Sequence, residues 1–267
     1  MSIVDKKYNF LQPIKTSNLV RLGRTHDGGY VVDANLINNC NTLISFGLGP
    51  DWSFELDYIK KNNDIEIFIY DHTVSSNFYI KDVLKYLRRF LTFRASFKDL
   101  SDRVKYLWNF KSFLRNKNVK YFKEKITFPI INKIDTDIDK VFSRVNASGD
   151  VNLKCDIEGD EYKIIDEILK YSSRINMLIF EFHLVDNNEQ NFCQAIKKIQ
   201  KIFDIIHIHG NNHFPKLDSG LPLILEITLI NKKFSPGSLE YVSDFPISGL
   251  DFPNNPYKKD LVFSFRG

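Results

Sequence analysis

The chain has 267 residues, of which 43% are hydrophobic and 14% aromatic, enough for a single α/β domain over residues 1–267. Its formal net charge of +4 is too small to indicate a nucleic-acid-binding protein, so nucleic acid is not an expected partner. Three widely separated cysteines without zinc-site spacing favour a reducing compartment and a cytoplasmic protein. Because no apolar stretch has the length of a signal peptide or a membrane span, we expect neither.

From Asn41 onward, short β-rich runs alternate with segments of helical period, which is typical of βαβ units and a mainly parallel sheet. Segments 161–171 and 191–203 are predicted to be helices that pack on the sheet. The last two strands are joined by a linker, 210–222, without helical period, so they should form an antiparallel hairpin. These patterns predict an α/β fold with a seven-stranded, Rossmann-like sheet and helices on both faces. The predicted strands are Thr42–Phe46, Ile65–Tyr70, Ile126–Ile131, Val151–Ile157, Ile175–Phe182, Asp204–His209 and Leu223–Ile230.

Three segments fall outside this alternation. Residues 1–40 are predicted to be an N-terminal cap segment, residues 76–125 a helical insertion after the second strand, and residues 241–267 an irregular tail. Between Lys81 and Lys125, 14 lysines and arginines stand against 4 acidic residues, interleaved with aromatic ones. The insertion could be a lid over an anionic ligand, an RNA-binding surface, or a helical pair with solvated lysines. The imbalance of charge favours a phosphate-bearing partner.

A Gly-x-Gly turn, Gly47 to Gly49, directly follows the first strand. Glycine suits this position because it allows a positive φ and a close approach of a ligand to the backbone. Asp71 ends the second strand about 20 residues later, where a carboxylate can accept hydrogen bonds from ribose hydroxyls. The third glycine of the dinucleotide fingerprint is missing, which argues against NAD and favours a nucleoside ligand without phosphates.

Four carboxylates lie within six residues at the end of the fourth strand: Asp156, Glu158, Asp160 and Glu161. They would repel one another unless some bind a cation, cap a helix or contact ligand hydroxyls. Asp160 and Glu161 suit the first turn of the following helix, where acidic side chains are favoured. Asp156 has no such explanation, because it lies where the strand should still be buried.

Further polar residues end the next two strands, with Glu181 and His183 on one strand and His209 on the other. Ligands of open α/β sheets bind beyond the carboxyl ends of the strands, so these residues predict a site there. Asp156, Glu181 and His183 could hold a divalent metal such as Mg²⁺, Mn²⁺ or Fe²⁺. A metal-free site with His183 or His209 as the general base is the alternative.

These motifs resemble the FkbM-type methyltransferases, which are S-adenosylmethionine-dependent enzymes of the class I, Rossmann-like fold. The resemblance spans roughly residues 21–230 and rests on Ser45–Gly49, Asp71, Lys154–Glu161 and Phe180–His183. It implies methyl transfer to oxygen, often on sugars, and a segment before the first strand that closes over the cofactor. The residues assigned to S-adenosylmethionine on this basis are Phe46, Gly47, Gly49, Asp51, Asp71, His72, Asp27, Gly28, Gly29 and Tyr30.

The sequence therefore predicts an O-methyltransferase with Asp156, His183 and His209 as catalytic residues. The expected acceptor is a sugar, or a nucleotide- or phosphate-linked sugar, used in surface glycan biosynthesis such as that of a capsular polysaccharide. An RNA or protein methyltransferase and a non-catalytic sugar- or nucleotide-binding domain are the alternatives, and a nicotinamide oxidoreductase is disfavoured by the incomplete glycine motif. The sequence leaves open whether the chain forms an oligomer.

Overall fold

A computed structural model describes residues 2–146, 149–183, 185, 189–237 and 240–266, built around one seven-stranded sheet. The strands are β1 (Thr42–Phe46), β2 (Glu66–Tyr70), β3 (Val119–Phe122), β4 (Val151–Cys155), β5 (Ile175–Phe182), β6 (Phe203–Gly210) and β7 (Leu225–Asn231). The order across the sheet is β6-β7-β5-β4-β1-β2-β3, and β7 alone of these strands runs antiparallel to its neighbours β5 and β6. This confirms the predicted fold class, including the antiparallel hairpin that ends the sheet.

Helices cover both faces of the sheet because side chains alternate along each strand. The helices are α1 (Ala34–Asn38), α2 (Ser53–Lys61), α3 (Ser76–Leu91), α4 (Phe97–Leu114), α5 (Ile138–Ser143), α6 (Glu161–Leu169) and α7 (Glu189–Ile199). Leu43 and Ile67 point into a core shared with α1 to α4, whereas Ile44 and Phe68 point into a core shared with α5 to α7. Short 3-10 helices span Lys6–Leu11, Ser172–Arg174 and Lys232–Phe234.

The third strand was predicted wrongly. The structure places β3 at Val119–Phe122 beside β2, whereas the predicted strand Ile126–Ile131 contributes only Lys125–Ile126, which pairs with Asp135–Thr136. Pro129 has no backbone N–H for a ladder, and the side chains of Ile130 and Ile131 are exposed. The segment predicted as a helical insertion therefore consists of a helical pair followed by a strand of the central sheet.

The two ends of the described chain meet in a small separate sheet. Ser2–Ile3 runs parallel to Phe263–Ser264, which pairs antiparallel with Asp244–Phe245. The predicted N-terminal cap contains a further hairpin, Leu19–Leu22 with Tyr30–Asp33, which is tied to β7 through the hydroxyl of Thr228. Among the described helices, none combines the length and the hydropathy needed to cross a membrane.

Candidate functional site

The glycine turn after β1 lies directly against the end of β4. Gly47 and Gly49 have φ angles of +75° and +60°, which favour glycine. A Cβ atom on Gly47 would lie 1.7 Å from the backbone oxygen of Asp156, whereas one on Gly49 would meet nothing within 4 Å. Gly47 is therefore required by packing, and Gly49 faces open space.

Asp71 holds this turn in place. One of its carboxylate oxygens accepts hydrogen bonds from the backbone N–H groups of Leu48 (2.8 Å) and Gly49 (2.9 Å). The other accepts from the backbone and hydroxyl of Thr73 and from the backbone of Val74. Burial raises the pKa of Asp71, yet the hydrogen bonds from Thr73, Gly49 and Leu48 hold it below its ordinary value. A ribose hydroxyl would have to displace one of these donors to reach the carboxylate.

A cleft of about 610 Å³, partly open to solvent, lies beside the turn. Four of the residues predicted to bind the cofactor line it, namely Gly47, Gly49, Asp71 and His72. Phe46 is fully buried behind the turn, where its carbonyl accepts a hydrogen bond from the backbone of Asp156. The remaining lining residues are Tyr70, Thr73, Glu124, Lys125, Ile126, Asp156, Ile157 and Glu158. Glu124 to Ile126 were missed because the sequence analysis assigns Glu124 and Lys125 to the end of a helical insertion and Ile126 to the start of a strand.

The N-terminal residues predicted to bind the cofactor divide into two groups. Asp51 fixes the loop before Tyr30 through an ion pair with Arg24 (2.9 Å) and packs so closely that a Cβ on Gly28 would lie 2.6 Å from its carboxylate. Asp51, Gly28 and Gly29 are absent from the described lining of the first cleft, so their position indicates loop packing. Asp27 and Tyr30, in contrast, reach the polar cluster at the ends of β4 and β5.

His183 is the centre of that cluster. Its Nδ1 lies 3.0 Å from the fully buried carboxylate of Glu161, which fixes the ring. Its Nε2 lies 3.4 Å from Glu158, 3.9 Å from Glu181 and 4.0 Å from Asp156. Burial lowers the pKa of His183, but the hydrogen bond to Glu161 and the charges of Glu181 and Asp156 raise it to about 9. At neutral pH the ring therefore carries a positive charge.

The carboxylates around His183 are not equivalent. Glu181 accepts hydrogen bonds from Tyr30 (3.1 Å) and Asn211 (2.9 Å), and burial with the charge of Asp156 holds its pKa well above its ordinary value. Burial also raises the pKa of Asp156, which accepts a second hydrogen bond from Tyr30 (2.9 Å). Potential ligand atoms of Asp156, Glu158 and His183 lie within 4.8 Å of one another. Glu158 thus replaces Glu181 in the predicted metal-ligand set.

A second cleft, of about 830 Å³ and open to solvent, lies on the other side of these residues. Its lining combines the polar cluster with three side chains from the loop after β6, namely Asn211, His213 and Phe214. The lining residues are Asp27, Asp156, Glu158, Glu181, His183, Asn211, His213, Phe214 and Ile224. Asp156 and Glu158 line both clefts, so the two spaces lie against the same side chains at the end of β4.

His209 occupies a similar cluster that is sealed. Its two ring nitrogens lie 3.1 Å from Glu226 and 3.2 Å from Asp260, and its side chain is fully buried. Burial lowers the pKa of His209, but Glu226 and Asp260 outweigh it and raise the pKa to about 10. His209 belongs to the described lining of neither cleft. The structure therefore does not bring this predicted catalytic residue to Asp156 and His183.

Comparisons with known proteins give only distant likenesses. No family model matches the chain, and no curated protein matches it. A putative methyltransferase from Thermobifida fusca aligns with 12% identity and a TM-score of 0.40 over 74% of this chain and 77% of its own. A putative caffeoyl-CoA O-methyltransferase from Staphylococcus aureus aligns with 12% identity and a TM-score of 0.35 over 74% and 80%. A fibrillarin pre-rRNA processing protein from Methanococcus jannaschii aligns with 7% identity and a TM-score of 0.40 over 73% and 68%. These values are too low to bear on function.

Proposed function

We propose that the chain is an S-adenosylmethionine-dependent methyltransferase that acts on a hydroxyl group of a small, sugar-like acceptor. One observation carries this proposal: the cleft beside the glycine turn and the cleft beside His183 share Asp156 and Glu158 in their linings. A methyl donor in the first cleft and an acceptor hydroxyl in the second would face each other there. Holding two reactants in line is the main requirement of a methyl transfer.

The first cleft suits a nucleoside ligand. Gly49 faces open space, and the backbone around it can approach a ligand closely. Among the described residues of the lining the one lysine is Lys125, which is paired with Asp160 at 2.8 Å and so is not free to bind a pyrophosphate. S-adenosylmethionine has no phosphate and supplies an electrophilic methyl group when bound.

The second cleft suits a hydroxyl-rich acceptor. Asp27, Glu158 and Asn211 offer hydrogen-bond partners to sugar hydroxyls, and the half-exposed ring of Phe214 offers an apolar surface. We infer that the acceptor is a sugar or a phosphate-linked sugar, such as a precursor of a surface glycan. The free thiols of Cys40, Cys155 and Cys193 support a role in a reducing compartment, the cytoplasm.

In this proposal Asp156 accepts the proton of the attacking hydroxyl. Its position between the two clefts brings it within reach, and Tyr30 orients its carboxylate through a hydrogen bond. His183 carries a proton at neutral pH because its pKa is about 9, so it supplies positive charge beside the developing oxyanion. This role differs from that of general base, which the sequence analysis names for His183 as one alternative.

As an alternative to a protonated His183, we propose that Asp156, Glu158 and the neutral ring of His183 hold a divalent cation such as Mg²⁺ or Mn²⁺, which would supply the positive charge in place of the imidazolium. The donor set fits, because a buried carboxylate, Glu161, orients the His183 ring as carboxylates do behind metal-bound histidines. A bound cation would lower the pKa of the acceptor hydroxyl.

Titration with Mn²⁺ should show one site that Glu158→Gln weakens at least about tenfold. Glu66→Gln, at an exposed carboxylate paired with Lys120, should not change it; equal weakening by both would contradict the site.

The first test of the cofactor is calorimetric titration of S-adenosylmethionine and of NAD⁺. We expect binding of S-adenosylmethionine alone, weakened at least about tenfold in His72→Trp, because the larger ring would fill the first cleft. Lys61→Trp, at an exposed position at the end of α2, is the matched control and should bind normally. Absence of binding, or a preference for NAD⁺, would overturn the proposal.

A further inference from the structure

The helical pair after β2 exposes an unusual amount of apolar surface. Its base packs on the body of the protein, where Trp52 contacts the rings of Tyr106, Phe110 and Phe113. Beyond that base, α3 and α4 pack mainly on each other, through Asp82 with Arg103 and through ring contacts such as Phe90 with Phe97. We call residues 76–117 the helical hairpin.

Most exposed apolar residues of the hairpin are ordered along each helix. In α3, four of the five follow one another at i, i+4, i+7 and i+11, which places these four on one face of the helix, and Phe78 lies off that face. In α4, three of the four recur at i, i+7 and i+11, with Tyr106 outside this pattern, and the loop between the helices adds Phe93, whose side chain is 98% exposed. The exposed residues of the two faces are Ile80, Leu84, Leu87, Leu91, Phe97, Val104 and Trp108.

Charge is concentrated on the same hairpin. Residues 76–117 contain eleven lysines and arginines against three aspartates, a net charge of +8, while the whole chain carries +4. The rest of the chain is therefore net negative, at −4. In α3, Lys81, Lys85 and Arg88 each follow a residue of the apolar face by one position, so they lie about 100° round the helix from it. Within the described part of the chain, none of these three has a carboxylate within 4.0 Å.

We propose that the hairpin docks on the surface of an anionic lipid bilayer. The apolar faces of α3 and α4 would enter the boundary between headgroups and acyl chains, and the lysines and arginines would contact anionic headgroups. Pairing of two hairpins from separate copies of the chain fits poorly, because two surfaces of net charge +8 repel each other. RNA would use the positive charge and the rings, but it offers no partner for the aliphatic side chains of Ile80, Leu84, Leu87 and Leu91.

Vesicle flotation with the full chain tests this surface. We expect binding to vesicles of phosphatidylcholine mixed with phosphatidylglycerol, little binding to phosphatidylcholine alone, and weaker binding at high salt. The double variants Leu84→Glu with Leu91→Glu and Lys85→Glu with Arg88→Glu should each reduce binding at least about tenfold. Because all four side chains are exposed, melting temperatures should stay close to that of the unchanged protein. A matched control, Ile131→Glu with Lys133→Glu on another exposed loop, should bind normally.

Tryptophan fluorescence gives a second readout. The chain has two tryptophans; Trp52 is buried and Trp108 is 64% exposed on α4. We expect a blue shift on addition of anionic vesicles that disappears in Trp108→Phe. Three results would overturn the proposal: no binding to anionic vesicles, binding that the control variant reduces as much as the hairpin variants, or self-association or RNA binding through the hairpin without vesicle binding.

Discussion

His183 and His209 lie at the same edge of the sheet, each between carboxylates, yet they occupy different surroundings. Both are protonated at neutral pH because neighbouring acids outweigh burial. His183 lines an open cleft, whereas His209 lies beneath a C-terminal segment that carries Asp260. The pair shows that a charged histidine among acids is first a means of neutralising buried carboxylates. It becomes a candidate for catalysis only where a ligand can reach it.

The seal over His209 is built from the C-terminal segment that sequence analysis described as an irregular tail. Asn254 donates a hydrogen bond of 2.6 Å to Glu226, the partner of His209 on β7. Two residues earlier on β6, His207 lies 3.0 Å from the buried carboxylate of Asp251. The segment thus supplies partners to side chains on β6 and β7, and this gives it a structural role in the fold.

The largest difference between the two clusters is expected in catalysis. Asp156→Asn should lower the rate of methyl transfer about 10³-fold, because the amide cannot accept the hydroxyl proton. Affinity for S-adenosylmethionine and stability should change little, since the substitution preserves shape. Transfer of a labelled methyl group to a panel of sugar acceptors measures the effect. Glu226→Gln in the sealed cluster is the control, and an equal loss of rate per folded molecule there would refute the distinction.

A second difference is expected in stability. His209→Gln removes the positive charge between Glu226 and Asp260, and breaking such a buried pair costs about 3–5 kcal/mol. His183→Gln should cost about 1 kcal/mol, because water can enter the open cleft beside it. Urea unfolding at pH 7 measures both free energies. The comparison fails if His183→Gln proves the more destabilising change.

The smallest expected effect is the pH dependence of that stability. The pKa of His209 rises from 6.5 to about 10 on folding, under the charges of Glu226, Asp260 and Asp251. Its contribution should therefore be complete below pH 6.5 and decline as the pH rises through 10. The gap in unfolding free energy between the unchanged protein and His209→Gln should narrow from pH 6 to pH 10. A constant gap would show that the charge of His209 does not stabilise the fold.

Much of the fold could be predicted because the central strands are rich in apolar residues, which identifies them in the sequence. Ile175–Phe182 is apolar at almost every position, and its bounds agree with the structure. The strand Val119–Phe122 was not predicted, because it is only four residues long and lies in a lysine-rich stretch. The more apolar run Ile126–Ile131 follows it and was predicted as the strand instead. In the sheet Val119–Phe122 pairs with β2 and stacks Phe122 on Tyr70, contacts that periodicity does not encode.

The candidate site could be predicted only where strand alternation applies. Asp156 and His183 were found because they end neighbouring strands. Glu158 lies beyond its strand, with a left-handed φ of +57° that alternation does not describe. Glu161 does begin α6, as the acid-rich first turn indicated, but its side chain is fully buried and holds His183. An acid at a helix start has the same sequence pattern whether it faces solvent or a histidine.

The contact between Gly47 and the backbone of Asp156 has a further consequence. Any side chain at Gly47 would push the end of β4 away, so the spacing between the two clefts is set by main-chain atoms. Loops around the second cleft, such as the one carrying His213 and Phe214, can therefore change without altering that spacing. The arrangement would let acceptor preference diverge between descendants of one ancestor while the transfer distance stays constant.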